Sequence, residues 1–187
     1  MAAPNSIGDT IMNVYLSGPM SGRPQFNIPE FNRVTQSLRE SGFEVTNPPE
    51  EDPPEFRESC EASPDGAVDA AMWGECIGRD VAKISSAGYD GIVMLPGWGD
   101  SWGSTMELLT AIKTGIPIYI FCPEEDRDEV NDIAGDDAEK LITPLLDGQF
   151  LLQVPAQYQP QITASAIFSL IGEALFEADE DDTGVRH

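Results

Sequence analysis

The sequence predicts an α/β fold in which a parallel sheet carries helices on both faces. Three observations predict it. Short apolar runs alternate with longer segments of helical periodicity. The run Gly91–Leu95 is followed at once by a glycine-rich turn and then by a helical pattern, a strand–turn–helix unit. Finally, 187 residues with 41% apolar content are enough for one domain with a sizeable core. The expected organisation is a flexible leader at residues 1–10, a single α/β domain over 11–177 and an acidic, disordered tail at 178–187. No internal repeat is visible.

The elements follow in order. Met12–Ser17 reads as the first strand, and the turn Gly18–Pro24 follows it. Pro29–Glu40 reads as a helix, with Phe31, Val34 and Leu38 on one face and Gly42 just past its end. Phe43–Asn47 is a second strand, stopped by Pro48 and Pro49. The acidic, proline-rich stretch Glu50–Pro64 reads as a loop or a flap. Val68–Ser85 reads as a helix with Met72, Cys76, Val81 and Ile84 towards the core. The third strand is Gly91–Leu95, and a helix beginning near Glu107 ends at Gly115. Ile116–Phe121 is a fourth strand, with proline tolerated near its start. Glu124–Gly135 reads as an acidic loop, Asp136–Leu146 as a short helix and Phe150–Val154 as a fifth strand. Gln159–Glu177 closes the domain as a helix.

Charge and composition exclude several functions. The formal net charge is −23. A nucleic acid polymer needs a basic face, so no such partner is expected. A small nucleotide held in one local pocket remains compatible. Abundant Asp and Glu beside only Lys83, Lys113 and Lys140 would also suit a high-salt interior. Cys60, Cys76 and Cys122 are odd in number and irregularly spaced, as reduced cytosolic thiols are. No charged-then-apolar leader and no apolar run of spanning length is seen, so a cytoplasmic protein without a membrane partner is expected.

The single histidine is the last residue, His187. That removes Ser-His-Asp and Cys-His catalysis and histidine metal sites. No cysteine pair has metal-ligand spacing, and neither G-x-x-x-x-G-K-[ST] nor G-x-G-x-x-G is spelled out. No metal and no cofactor are expected, and carboxylates remain the natural catalysts. The stretch Gly97–Glu107 carries the strongest signal. It lies where open α/β sheets bind ligands, its small residues admit close approach, and a helix start favours an anion. Glu107 falls about one turn inside that helix, either facing the ligand or complementing the helix dipole. Two carboxylates can cleave a glycosidic bond, one attacking or stabilising the anomeric carbon and the other handling the proton. Glu107 and Asp80 are the candidates. From spacing alone Asp80, beside Arg79, reads first as a solvated helix charge, and Asp90 as a turn or capping residue. Ser101 and Ser104 either cap the helix or, for Ser101, hold a phosphate. Trp98, Trp102, Tyr15 and Phe26 either stack on a base or cover the sheet.

An ordered pattern runs through these positions. It comprises Tyr15-Leu16-Ser17-Gly18-Pro19-Met20, Asn27, Phe31, Asn47-Pro48, Trp73, Arg79-Asp80, Asp90, Leu95-Pro96-Gly97-Trp98, Ser101, Gly103 and Glu107. Over Met12–Phe121 it resembles the nucleoside 2-deoxyribosyltransferase-like superfamily, and within it a branch common in bacteriophages and prophages. The resemblance implies a flavodoxin-like or Rossmann-like three-layer sandwich with a five-stranded parallel sheet. It implies breakage of the N-glycosidic bond of a deoxynucleoside or its 5′-monophosphate, by hydrolysis or by transfer to another base. Glu107 matches the family nucleophile, and Asp80 the helix aspartate that binds the sugar or moves the proton. Ser101 stands where nucleoside transferases carry Asp, which is similar to the monophosphate N-hydrolases and implies a 5′-phosphate. Tyr15, Ser17, Gly18, Pro19, Met20, Asn27, Gly97, Trp98, Gly103 and Ser104 match the substrate-binding loops, and Arg23 is a candidate phosphate ligand. A homo-oligomer, whose sites a neighbouring subunit completes, is also implied. Two other readings stand beside this one. The chain could bind or sense nucleotides without turnover, or, from its glycine-rich turn followed by Glu, act as a phosphoribohydrolase on ribonucleotides.

Overall fold

The computed structural model describes residues 11–181. The expected leader, 1–10, lies outside the described residues, as does 182–187 of the expected tail. Four strands form the parallel part of the sheet: β1 (Asn13–Ser17), β2 (Glu44–Thr46), β3 (Gly91–Met94) and β4 (Ile118–Cys122). Helix α1 (Ile28–Glu40) links β1 to β2. Three helices, α2 (Pro48–Glu51), α3 (Pro54–Glu61) and α4 (Ala70–Ser86), link β2 to β3, and α5 (Trp102–Thr114) links β3 to β4. Then come α6 (Arg127–Ala134), α7 (Ala138–Leu141), β5 (Ile142–Pro144), β6 (Phe150–Val154) and α8 (Gln159–Asp181).

The sheet has six strands in the order β2-β1-β3-β4-β6-β5, and it is mixed. This corrects the expected five parallel strands. β6 runs antiparallel to both β4 and β5. The reason is the length of the β5–β6 connection. A parallel return needs a dozen or so residues, whereas Leu145–Gln149 makes a tight turn closed by Leu145 N–H donating to the Gln149 carbonyl at 2.8 Å. β5 therefore takes the outer edge, and β6 folds back between it and β4. The sequence conceals β5 because it is three residues long and ends in a proline, which an edge strand tolerates.

Alternation along the strands divides the core. Val14, Leu16, Val93, Leu95 and Phe121 pack with Phe31, Val34 and Leu38 of α1 on one face. Tyr15, Ile92, Met94 and Ile118 pack with Ile84 of α4 and Leu108 and Ala111 of α5 on the other. The chain crosses from one face to the other between β2 and β3, so β1 and β3 are neighbours whose outgoing connections diverge. That is the switch point where a crevice opens at the carboxyl ends of the strands.

Several local expectations are corrected. Glu50–Pro64 is largely helical and not a loop: α2 and α3 each start with a proline in the first turn, where its missing N–H costs nothing. Cys60 of α3 is buried with Phe26 and Ile28, and Met20, Phe56 and Val68 pack against them. Two backbone bonds, Gln25 N–H to Ser63 O and Gly22 N–H to Gly66 O, tie this segment to the loop after β1. Glu124–Gly135 contains α6 rather than a loop. In α4, Ile77 and Ile84 are the buried positions, while Met72, Cys76 and Val81 are half-buried. The N-terminal half of α4 borders a cleft instead of the sheet, which spoils the expected stripe. α8 runs to Asp181, four residues into the stretch expected to be disordered. The three cysteines are free thiols. Among the described residues, no helix is long and apolar enough to cross a membrane.

Candidate active site

The loop after β1, one side of α4 and the turn that leads into α5 enclose an open cleft of about 200 Å³. Glu107 lies at its floor, 6% exposed. A helical residue one turn from the N-terminus points back towards that end, which carries the Glu107 carboxylate over β1. There the Ser17 hydroxyl donates to Oε2 at 2.5 Å and the Tyr15 hydroxyl donates to Oε1 at 3.1 Å. Tyr15 and Ser17 are two apart on one strand, so both side chains leave the same face of the sheet. Burial pushes the Glu107 carboxyl up to about 8. The Ser17 hydrogen bond opposes that rise, the Asp80 charge adds to it, and the Tyr15 hydrogen bond opposes it.

Asp80 lines the same cleft from α4. Its carboxyl is raised by burial and held down by Arg79, whose Nε lies 3.3 Å from Oδ1. Arg79 Nη1 reaches 2.6 Å to Asp52, a buried residue at the end of α2. Asp52 and Asp80 thus grip one guanidinium from two sides. Asp52 escaped the sequence reading. It sits in a run of Pro and acidic residues with no periodicity to mark it, and only the packing of α2 brings it to α4.

The structure distributes the remaining expected residues as follows. Gly18, Met20, Ser101, Gly103 and Ser104 line the cleft with Glu107 and Asp80. Gly18 is needed for close approach: a Cβ there would stand 2.8 Å from Cβ of Leu95. Tyr15 and Ser17 lie beneath, holding Glu107. Pro19 and Asn27 brace the loop, Asn27 Nδ2 donating to the Pro19 carbonyl at 3.0 Å. Asn27 closes a left-handed turn in which Gln25, Phe26 and Asn27 have φ of 54°, 50° and 58°. Arg23 lies beside Gly97: a Cβ on that glycine would be 3.5 Å from the guanidinium Nη2. Neither residue forms the cleft wall. Trp98 packs on the α8 side of the sheet against the cluster of Ile92 and Leu108. Phe26 is buried against Cys60. Trp102, half-exposed, borders the cleft, as do Trp73, Cys76 and Ile77 of α4. Asp90 braces the sheet by accepting from Asn13 N–H at 2.9 Å.

Ser101 caps α5, its Oγ accepting from Ser104 N–H at 3.3 Å. Thr105 N–H donates to the Ser101 carbonyl at 2.9 Å. The N–H groups expected near Ser104 and Thr105 are thus already taken. Those of Trp102 and Gly103 have no partner within the helix. The Ser104 hydroxyl is buried in the cleft wall and makes no hydrogen bond among the described residues. A smaller, mostly apolar cavity of about 60 Å³ adjoins the cleft and shares Met20, Trp73, Cys76 and Asp80 with it.

Residues 12–120 match a family described as a domain of unknown function, DUF4406. The chain belongs to that family. The DUF4406 span holds every cleft residue named above and stops within β4, before the β5–β6 hairpin and α8. No curated protein and no solved structure matches the chain.

Proposed function

We propose that the chain cleaves the N-glycosidic bond of 2′-deoxynucleoside 5′-monophosphates through Glu107. The observation that carries this is a buried glutamate on a cleft floor, gripped by two hydroxyls, with a second carboxyl on the same cleft. That pairing of carboxyls is what glycosidic chemistry uses. The flavodoxin-like resemblance agrees with the 2-1-3-4 order of the parallel strands and with a site at their switch point.

In this reading the ionised Glu107 attacks C1′ of the sugar. The C1′–N bond breaks, its electron pair leaves with the base, and a proton from Asp80 or solvent neutralises the base. A deoxyribosyl ester of Glu107 remains. Water then adds at C1′, the ester C–O bond breaks, the carboxylate is restored and the water's proton is released. A second base in place of water gives transfer instead of hydrolysis. In this reading the base lies beside Asp80, at the mouth of the smaller cavity. In this reading, too, the Trp102 and Gly103 N–H groups at the start of α5 hold the 5′-phosphate, with Ser101 ordering that turn. Such a local site is required, because a surface of charge −23 repels a phosphate at longer range.

The test is incubation with deoxy- and ribonucleosides and their monophosphates, reading free base by chromatography. Release is expected from deoxynucleoside monophosphates. Glu107→Gln is expected to reduce it by at least about 10³-fold with the fold retained. Ser101→Ala is expected to narrow the preference for monophosphates over nucleosides. Base release by Glu107→Gln at the wild-type rate would end the proposal.

A further inference from the structure

Asp52 does more than close an ion pair. It stands just past the end of α2, 8% exposed, and lines the smaller cavity rather than the cleft. Two ion pairs fasten this end of α2 to α4. Glu51 meets Lys83 and Asp52 meets Arg79, and the two cations are one helical turn apart. The Glu51–Lys83 pair is exposed to solvent, whereas the Asp52 side chain is buried.

One guanidinium serves two carboxylates here. A guanidinium is always charged, and it can offer a carboxylate two parallel N–H groups. Arg79 divides its donors instead: Nη1 goes to Asp52 at 2.6 Å and Nε to Asp80 at 3.3 Å. The closer contact belongs to Asp52, so Asp80 is held more weakly. Asp52 also faces Asp80 as a like charge. Both effects favour a proton on Asp80. Three other titratable groups face Asp80. Tyr15 from β1 opposes the proton, Glu107 from α5 is a further like charge, and Cys76 of α4 is a thiol that burial pushes up.

We propose that Asp52 is a positioning residue: it draws the Arg79 guanidinium off Asp80 and so leaves Asp80 a proton for the departing base. This rests on the proposed reaction. The Asp80 O–H bond breaks as the base takes the proton, and the water that later adds at C1′ returns one to Asp80. The reacting form has Glu107 ionised and Asp80 protonated. Glu107 ionises only near 8, so while the Asp80 midpoint lies lower this form is a minority. Its share grows ten-fold for each pH unit that the Asp80 midpoint gains.

Carbon-13 NMR titration of the aspartate side chains reads the effect without turnover. Asp52→Asn keeps the shape and removes the charge. The Asp80 midpoint is expected to fall by about one pH unit or more, and kcat for base release by about ten-fold per unit, with KM unchanged. Asp52→Glu should restore the wild-type midpoint. Glu51→Gln loosens the same seam without touching Arg79 and should leave the midpoint unmoved. If Asp52→Asn unfolds the chain, as read by circular dichroism, the smaller Asp52→Ser carries the test; if neither folds, Asp52 serves the fold and the proposal falls. An Asp80 midpoint that stays or rises in a folded variant overturns it and leaves the reaction standing. A higher KM with kcat kept overturns it too, because Asp52 would then touch the substrate. A wild type that releases no base overturns the use of the proton, and with it the reaction, even where the midpoint falls as expected.

Discussion

The hydrogen bond from Ser17 to Glu107 makes a prediction whose size can be worked out. At 2.5 Å it is a short, charge-assisted contact to a carboxylate that burial has pushed up to about 8. Ser17→Ala removes the largest influence opposing that rise and leaves the burial in place. A hydrogen bond to a charged group contributes about 1.5–3 kcal/mol, and ~1.36 kcal/mol corresponds to one pH unit. The midpoint of Glu107 ionisation should therefore climb by about one to two pH units in Ser17→Ala. Tyr15→Phe should move it less, since that bond is longer at 3.1 Å. The sign follows from the role. An attacking carboxylate must be ionised, so kcat/KM of the wild type should rise with pH through about 8, and the rise should begin later in the variant. The assay is the pH profile of base release, paired with carbon-13 NMR titration of the glutamate side chains, which needs no turnover. A Glu107 midpoint that stays put or falls in Ser17→Ala would refute the reasoning.

Three further outcomes are expected. Glu107 ionises near pH 8 in the folded chain against 4.5 for the free group, so both states hold the proton at low pH and stability is lost as pH rises from there through about 8. Glu107→Gln should accordingly melt higher than the wild type at pH 9, by at most about 5 kcal/mol, and match it near pH 4, as read by thermal denaturation. Arg79→Ala should raise the Asp80 midpoint further, because the guanidinium holds that carboxyl down; an unmoved aspartate signal in an NMR titration would contradict this. Gly66→Ala should destabilise the domain by about 2–4 kcal/mol, because φ is +66° and the added Cβ would stand 2.2 Å from the Arg23 carbonyl oxygen; urea unfolding measures it.

How much of the site was legible depends on the range of each interaction. The α5 half is nearly contiguous in sequence. A strand, a glycine-rich turn, Ser101 as cap and Glu107 one turn further on obey local rules of chain geometry, and the structure sets them together as those rules require. The same holds for α1, where Phe31, Val34 and Leu38 form a stripe that the sheet buries. Asp80 was named for its chemistry, but its place on the cleft depends on how α4 crosses over β3.

The four parallel strands, the helices α1, α4 and α5 and the carboxylate behind the glycine-rich turn follow from composition and periodicity, because each is a matter of neighbours within a turn or two. Tertiary structure alone decided the rest. Ser17 and Tyr15 reach Glu107 across some ninety positions, with separations of 90 and 92. Asp52 finds Arg79 only because two short proline-started helices fold against the loop after β1. The antiparallel β6 depends on a tight turn and on the gap left beside β4. In each case the partners are distant in sequence, and packing, which no local pattern encodes, chooses between them.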